Sequence, residues 1–244
     1  MKTFLIVGAL TVSVLFLMVI MLVLQTGSSL PFFGVFNSFL SLDSTQIWWY
    51  VTRSAGLMSY ILIWLSVAWG LAVSSKIFDP LLERIFTFDF HEYLSLLGLG
   101  FVGVHVLVLM LDQYQPFTAL QILIPFIAPY RPFWTGLGVI AFYISLLVTL
   151  TFYMRSMMSS KLSRAIHMTS LLAYFGATLH GIFGGTDASL PFTQIVYAVT
   201  FLITLFLVIY WLMVMYFRKR ESDQKALELT RQRRKASQQM RARA

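Results

Sequence analysis

The sequence predicts an all-α, polytopic membrane protein folded as a six-helix transmembrane bundle, and three observations carry that expectation. The chain is 58% hydrophobic and 11% charged, against roughly 45–50% and about 25% in soluble domains. Six of its apolar stretches reach the length of about 20 helical residues needed to cross roughly 30 Å of hydrocarbon. Its basic residues fall almost entirely on one side of the alternating topology those stretches define.

The expected spans are 4–25, 47–74, 88–112, 134–155, 165–186 and 192–217. The first, nearly unbroken from Phe4 to Leu24, is longer than a signal-peptide core of roughly 7–15 residues, and no small-x-small motif closely follows it. It is therefore expected to be a retained helix. Three organisational units follow: 1–46, a first helix and outer loop; 47–217, the main membrane domain; and 218–244, a basic tail. An inside N-terminus places 16 of the 18 Lys and Arg residues on the inner face, leaving only Arg53 and Arg131 toward the outside. This predicts a cytoplasmic (inner) membrane location with both termini cytoplasmic. Outer loops are expected at 26–46 and 113–133. In the second, Ile122-Leu123-Ile124-Pro125-Phe126 is too short to cross and should lie on the membrane or dip into it. Trp48, Trp49, Tyr50, Tyr130 and Trp134 fall at the outer boundary, as an interfacial belt would.

Charge and cysteine content narrow the function. The formal charge of +8 follows the membrane boundaries, so lipid rather than nucleic acid is the expected partner of the basic residues. With no cysteine, the chain has no disulfide, thiolate-held iron–sulfur cluster or covalent c-type haem. A redox centre would have to be held by side chains such as histidine.

The four histidines of the chain lie within two of the spans, as pairs 14 and 13 residues apart: His91 and His105, then His167 and His180. Ionisable residues inside a membrane are costly and mark functional sites by default. On an ideal helix His91 and His105 are separated by about 21 Å and face within about 40° of each other. Gly98, midway on that stripe, leaves room for a flat macrocycle or another backbone, and Phe101 could pack between the two depths. His167 and His180 are separated by about 19.5 Å but diverge by roughly 140°, so a kink or local rewinding is required, with Gly176 the expected place. One span separates the two histidine helices, which therefore run in the same direction. Depth then matches His91 with His167 near the cytoplasm and His105 with His180 near the outside. Neutral imidazole is a common haem ligand, and the constellation predicts two stacked haems, each held by one histidine from each helix.

Two other readings stay open. The histidines could hydrogen-bond between helices in a non-redox assembly protein, or hold a metal ion in a transporter. The second would want carboxylates one turn away, and the i+4 neighbours are Ser95, Leu109, Leu171 and Gly184.

These residues resemble the ferric reductase-like transmembrane domain family. That family includes the membrane parts of NADPH oxidases and ferric-chelate reductases, and the haem-binding membrane subunit of the methionine-sulfoxide reductase system. The likeness rests on the two histidine spacings, on Arg164-Ala165-Ile166-His167, and on Thr52-Arg53-Ser54-Ala55-Gly56, and it covers roughly 47–215. Cytochrome b of quinol-oxidising complexes has similar paired spacings. The resemblance implies two b haems, with His91 and His167 ligating the inner and His105 and His180 the outer. It further implies electron flow from the cytoplasm to an acceptor on the outer face. Arg53, and Arg164 with Lys161, become candidate partners of haem propionates. Snorkelling accounts equally for Arg53 and positive-inside anchoring for the other two. The family's oxidases and ferric reductases carry a flavin- and nicotinamide-binding domain after the membrane part. The tail of 218–244 is too short for one and holds no Gly-x-Gly-x-x-Gly. The expected electron donor is therefore a separate cytoplasmic flavoprotein or a membrane quinol. Tyr130, Arg131 and Pro132 mark where an acceptor (ferric chelate, oxygen or a partner enzyme) would approach. A quinone-linked haem subunit serving a periplasmic reductase is the neighbouring alternative.

Overall fold

The computed structural model describes residues 47–112 and 116–243. The expected helix at 4–25 and the loop at 26–46 lie outside them. Every described element is helical: α1 (Ile47–Ser74), α2 (Arg84–Leu109), α3 (Ala119–Leu123), α4 (Pro132–Tyr153), α5 (Ser160–Met168), α6 (Ser170–Gly184) and α7 (Pro191–Arg243), with a 3-10 turn at Arg155–Met157. Among the described residues four helices, α1, α2, α4 and α7, are long and apolar enough to cross a membrane. The span expected at 165–186 is instead divided between α5 and α6, for a reason that bears on the site.

Helix ends follow local chemistry. α1 closes in a Schellman motif: Ile77 N–H donates to Ala72 O at 3.0 Å and Lys76 N–H to Val73 O at 3.0 Å, with Lys76 left-handed at φ 61°. α4 opens on Pro132, whose missing N–H costs nothing in the first turn. Thr118 and Gln121 form a reciprocal capping box on α3. The segment expected to dip into the membrane is held against α4. Tyr143 Oη donates to Leu123 O at 2.6 Å, the Phe126 ring stacks 5.9 Å from Phe133, and a side chain at Gly136 would collide with it.

α1 is the central helix. On one side Ala55, Met58 and Leu62 pack with Leu94 and Phe101 of α2, so Phe101 belongs to the contact between α1 and α2. On the other, Tyr60, Val67 and Leu71 pack with Tyr174 of α6 and with Val196, Leu207 and Trp211 of α7. Hydroxyls in this second core are satisfied locally. Tyr60 Oη is 2.6 Å from Thr200 Oγ1, and Trp64 Nε1 donates to Thr204 Oγ1 at 3.1 Å. Unpaired polar groups in an apolar interior would each cost about 1–3 kcal/mol. Large apolar side chains such as Leu202, Phe206 and Leu212 face outward along α7, as lipid-facing positions do. α7 then runs on into the basic segment, where Lys225 pairs with Glu221.

Candidate functional site: two histidine pairs

α2 presents His91 and His105 to the α5–α6 segment, and the histidines meet in the pairs that depth predicted. The rings of His91 and His167 are 5.8 Å apart at 75°, and those of His105 and His180 are 6.4 Å apart at 73°.

The helix interruption expected between His167 and His180 falls at Thr169, and not at Gly176. Thr169 ends α5, its hydroxyl donating to Ile166 O at 2.6 Å and its N–H to the same carbonyl at 3.0 Å. A threonine hydroxyl that takes the i−3 carbonyl competes with the helical ladder, and α6 restarts at Ser170. Gly176 stays helical because it is a close-packing point: a Cβ there would lie 3.3 Å from Ala141 of α4.

Hydrogen bonds to backbone carbonyls fix the tautomers of two rings. His105 Nδ1 is 2.8 Å from Thr52 O and His180 Nδ1 is 3.0 Å from Trp134 O. A carbonyl only accepts, so each Nδ1 carries the proton and each Nε2 keeps its lone pair. His91 Nδ1 lies 3.3 Å from Ser66 Oγ. Among the described residues His167 makes no hydrogen bond, and it stands on the exposed face of α5. No histidine Nε2 has a hydrogen-bond partner there either.

Glycines on the flanking helices face the rings, and sequence reasoning missed them. A Cβ at position 56 would stand 2.9 Å from His105 Nδ1, one at 70 would stand 3.1 Å from His91 Cε1, and one at 138 would stand 2.8 Å from His180 Cγ. Gly56 and Gly70 are 14 residues apart on α1, the same interval as the histidines they face on the antiparallel α2. That match was available as a signal. Gly98, by contrast, does not open space for a ligand: α1 occupies it, with Ile63 Cγ1 3.2 Å from where a Cβ would be. Gly98, Gly100 and Gly103 also happen to spell Gly-x-Gly-x-x-Gly. They lie within α2 rather than at a strand-to-helix turn, so they form no dinucleotide loop.

A cavity of about 450 Å³ surrounds the outer pair, bordered by His105, His180, Gly56, Gly138, Arg53 and Asp187. Ligand pockets run about 300–1,000 Å³. Thr52 also borders it, only 5% exposed, and its hydroxyl has no partner among the described residues. Arg53 is not left to lipid. It pairs with Asp187 of the α6–α7 connection and stacks over Trp49 at 3.8 Å. Asp187 is the site residue least visible in the sequence, since nothing local marks it. Arg131 Nη1 donates to Phe183 O at 2.5 Å, and Trp134 stacks on Phe183 at 4.3 Å, tying the start of α4 to the end of α6. Arg164 donates from Nε to Ser160 O of its own helix. It and Lys161 are exposed on α5, the helix that carries His167.

Among the described residues no group of three or more His, Cys, Asp or Glu is placed to hold a metal ion. Each pair therefore offers two protein ligands and no more. No protein-family model matches the chain, and neither a curated protein nor a solved structure matches it.

Proposed function

We propose that this chain is a membrane electron-transfer protein of the ferric reductase-like kind, holding two b haems between α2 and the α5–α6 segment. The single observation that carries the reading is the ring separation within each pair. Metal–imidazole bonds run about 2.0–2.1 Å, and an imidazole centroid lies about 1.1 Å beyond its nitrogen. Two rings on opposite sides of one metal ion therefore stand about 6.3 Å apart. The observed 5.8 and 6.4 Å bracket that value.

Other features support the same reading. A haem brings its own equatorial nitrogens, so a two-histidine donor set is complete for it, while a structural zinc site would need about four protein ligands. Nδ1–H bonded to a carbonyl with Nε2 left free is the arrangement of metal-bound histidines generally. The same bonds run between helices, from α2 to α1 and from α6 to α4, and leave each Nε2 free for a ligand. Gly56, Gly70 and Gly138 keep side-chain bulk away from the rings, and the Thr52 hydroxyl, without a partner among the described residues, borders the outer cavity.

When bound, the two haems would supply one-electron redox chemistry at two depths. The protein's own contributions are separable. Thr52 O and Trp134 O orient the outer rings, and His167 faces His91 from α5, the short helix that ends at Thr169. Each haem would be held by two histidines, one from each helix, which would suit electron transfer rather than direct binding of oxygen. The Arg53–Asp187 pair neutralises charge at the outer rim, where Arg53 had been expected to meet propionates; propionate pairing there would compete with Asp187. On this reading electrons move outward across a cytoplasmic membrane, with both termini inside. They come from a separate flavoprotein or a quinol and leave to an outer-face acceptor.

A dithionite-reduced minus oxidised spectrum of the purified chain, with haem quantified, tests the proposal. A b-type spectrum at two haems per chain is expected. Protein that is colourless when purified from haem-replete cells would overturn it.

A further inference from the structure

One local construction recurs at three of the four rings. His105 bonds to the carbonyl of Thr52 and faces Gly56, and His180 bonds to the carbonyl of Trp134 and faces Gly138. His91 likewise bonds to the backbone of Ser66 and faces Gly70. Each glycine stands four residues after the backbone anchor on the opposing helix. The bond orients the ring and raises its basicity as a ligand, while the glycine gives the ring room.

His167 has neither part. It makes no hydrogen bond among the described residues, and no glycine among them faces it. A step of 14 residues from Trp134 and Gly138, the interval used on α1, reaches Val148 and Phe152 on α4. The helix beneath His167 is held as loosely as its ring. α5 has nine residues and buries none of them. It lies between the 3-10 turn at Arg155–Met157 and the break at Thr169. α6, which carries His180, buries Ala173, Tyr174 and Thr178. Segments with few buried contacts open locally at a small fraction of the global unfolding free energy.

We propose that His167 is the releasable ligand of the inner site, where a small neutral diatomic ligand of the carbon monoxide class binds in its place. The proposal rests on the reading of the pairs as haem sites. In the exchange the bond from iron to the His167 ring nitrogen breaks, and its electron pair returns to the ring. The carbon lone pair of the incoming molecule fills the vacated position. His91 stays bound, and no oxidation state changes. The outer site resists the same exchange because both of its rings are anchored.

The experiment uses the full haem-loaded chain in lipid nanodiscs, reduced with dithionite and titrated with carbon monoxide. Loss of an orienting partner weakens metal binding about 10–100-fold. One of the two haems should therefore take up carbon monoxide at a concentration lower by about that factor than the other. Hydrogen exchange locates the event: carbon monoxide should speed exchange over Ser160–Met168 and leave Ser170–Gly184 unchanged. A third measurement needs no haem. In the haem-free chain with 15N-labelled histidine, three rings should each hold one tautomer. His167, identified by the signals lost in His167→Gln, should show a mixture of both. Two bound haems with no preferential uptake of carbon monoxide would overturn the exchange, as would faster hydrogen exchange at Ser170–Gly184 instead of Ser160–Met168. A single fixed tautomer at His167 would remove its structural basis. A chain that takes up no haem would overturn the haem reading itself, and that failure is distinct because it shows before any carbon monoxide is added.

Discussion

Gly138→Ala is the sharpest test of how the outer pair is built. The added methyl would lie 2.8 Å from both Cγ and Nδ1 of His180 and 3.0 Å from its Cε1, where non-bonded heavy atoms settle at about 3.5–4.0 Å. The ring must retreat by about 0.7 Å, and it is not free to do so, because Nδ1 is held at 3.0 Å from Trp134 O. A comparable lengthening takes that bond past about 3.6 Å, where it no longer counts as one. Overpacking costs about 1–3 kcal/mol and the lost bond about 1 kcal/mol. Together these give about 2–4 kcal/mol, or roughly a 30- to 700-fold weaker outer site at 1.4 kcal/mol per decade. Haem titration of the variant should lose one high-affinity step and keep the other. Gly100→Ala is the control, since a Cβ there meets nothing within 4 Å and alanine is the better helix former by roughly 0.5–1 kcal/mol. Two intact binding steps in Gly138→Ala would refute the claim that glycine at this position makes room for the ring.

Three further outcomes follow from the same geometry. His91→Ala should remove one haem, leave the outer haem spectrum largely intact and halve the haem per chain; retention of both haems would sink the ligand assignment. Asp187→Ala strands the Arg53 guanidinium in a position about 15% exposed and should cost about 1.5–3 kcal/mol, the range for a lost charged hydrogen bond. In thermal unfolding in detergent, the double change with Arg53→Leu should be less damaging than the single one, and additive losses would count against the pair. Thr169→Leu removes the hydroxyl that interrupts the helix, so α5 and α6 should join and swing His167 away from His91. Loss of the inner haem alone, read by titration and spectrum, is expected; retention of both would show that the break does not depend on this side chain.

What the sequence made legible is what depends on spacing along one helix. Span 47–74 was expected and α1 is Ile47–Ser74. The pairing by depth followed because two co-directional helices carrying histidines at nearly equal intervals leave little other choice. What stayed hidden depends on contacts between helices. Nothing near Asp187 in the chain marks it as the partner of Arg53, 134 residues away, since the ion pair exists only once α1 and the α6–α7 connection meet. The same holds for Ser66 and His91, and for the break at Thr169. A glycine looked the weaker point in the helix, but Gly176 is locked by Ala141, whereas a threonine hydroxyl can substitute for a ladder bond.

The mismatch between 14 and 13 residues explains why the second histidine helix is built differently from the first. An ideal α2 brings His91 and His105 to within about 40° of one stripe, and α2 packs closely on α1 through Gly98. The α5–α6 segment carries the whole remaining error of roughly 140°, so it must break if both its rings are to face α2. The break falls two residues after His167 and eleven before His180. The outer ring therefore rides on α6, which packs along α4, and the inner ring on a nine-residue helix. In consequence the rigid half of the segment holds the ring secured by a backbone carbonyl. The short half holds the one ring without a hydrogen bond among the described residues. If haem loading stiffens this chain anywhere, it should be at α5. Hydrogen exchange over Ser160–Met168 should then slow on haem addition far more than over Ser170–Gly184, and equal protection of both segments would contradict this division of labour.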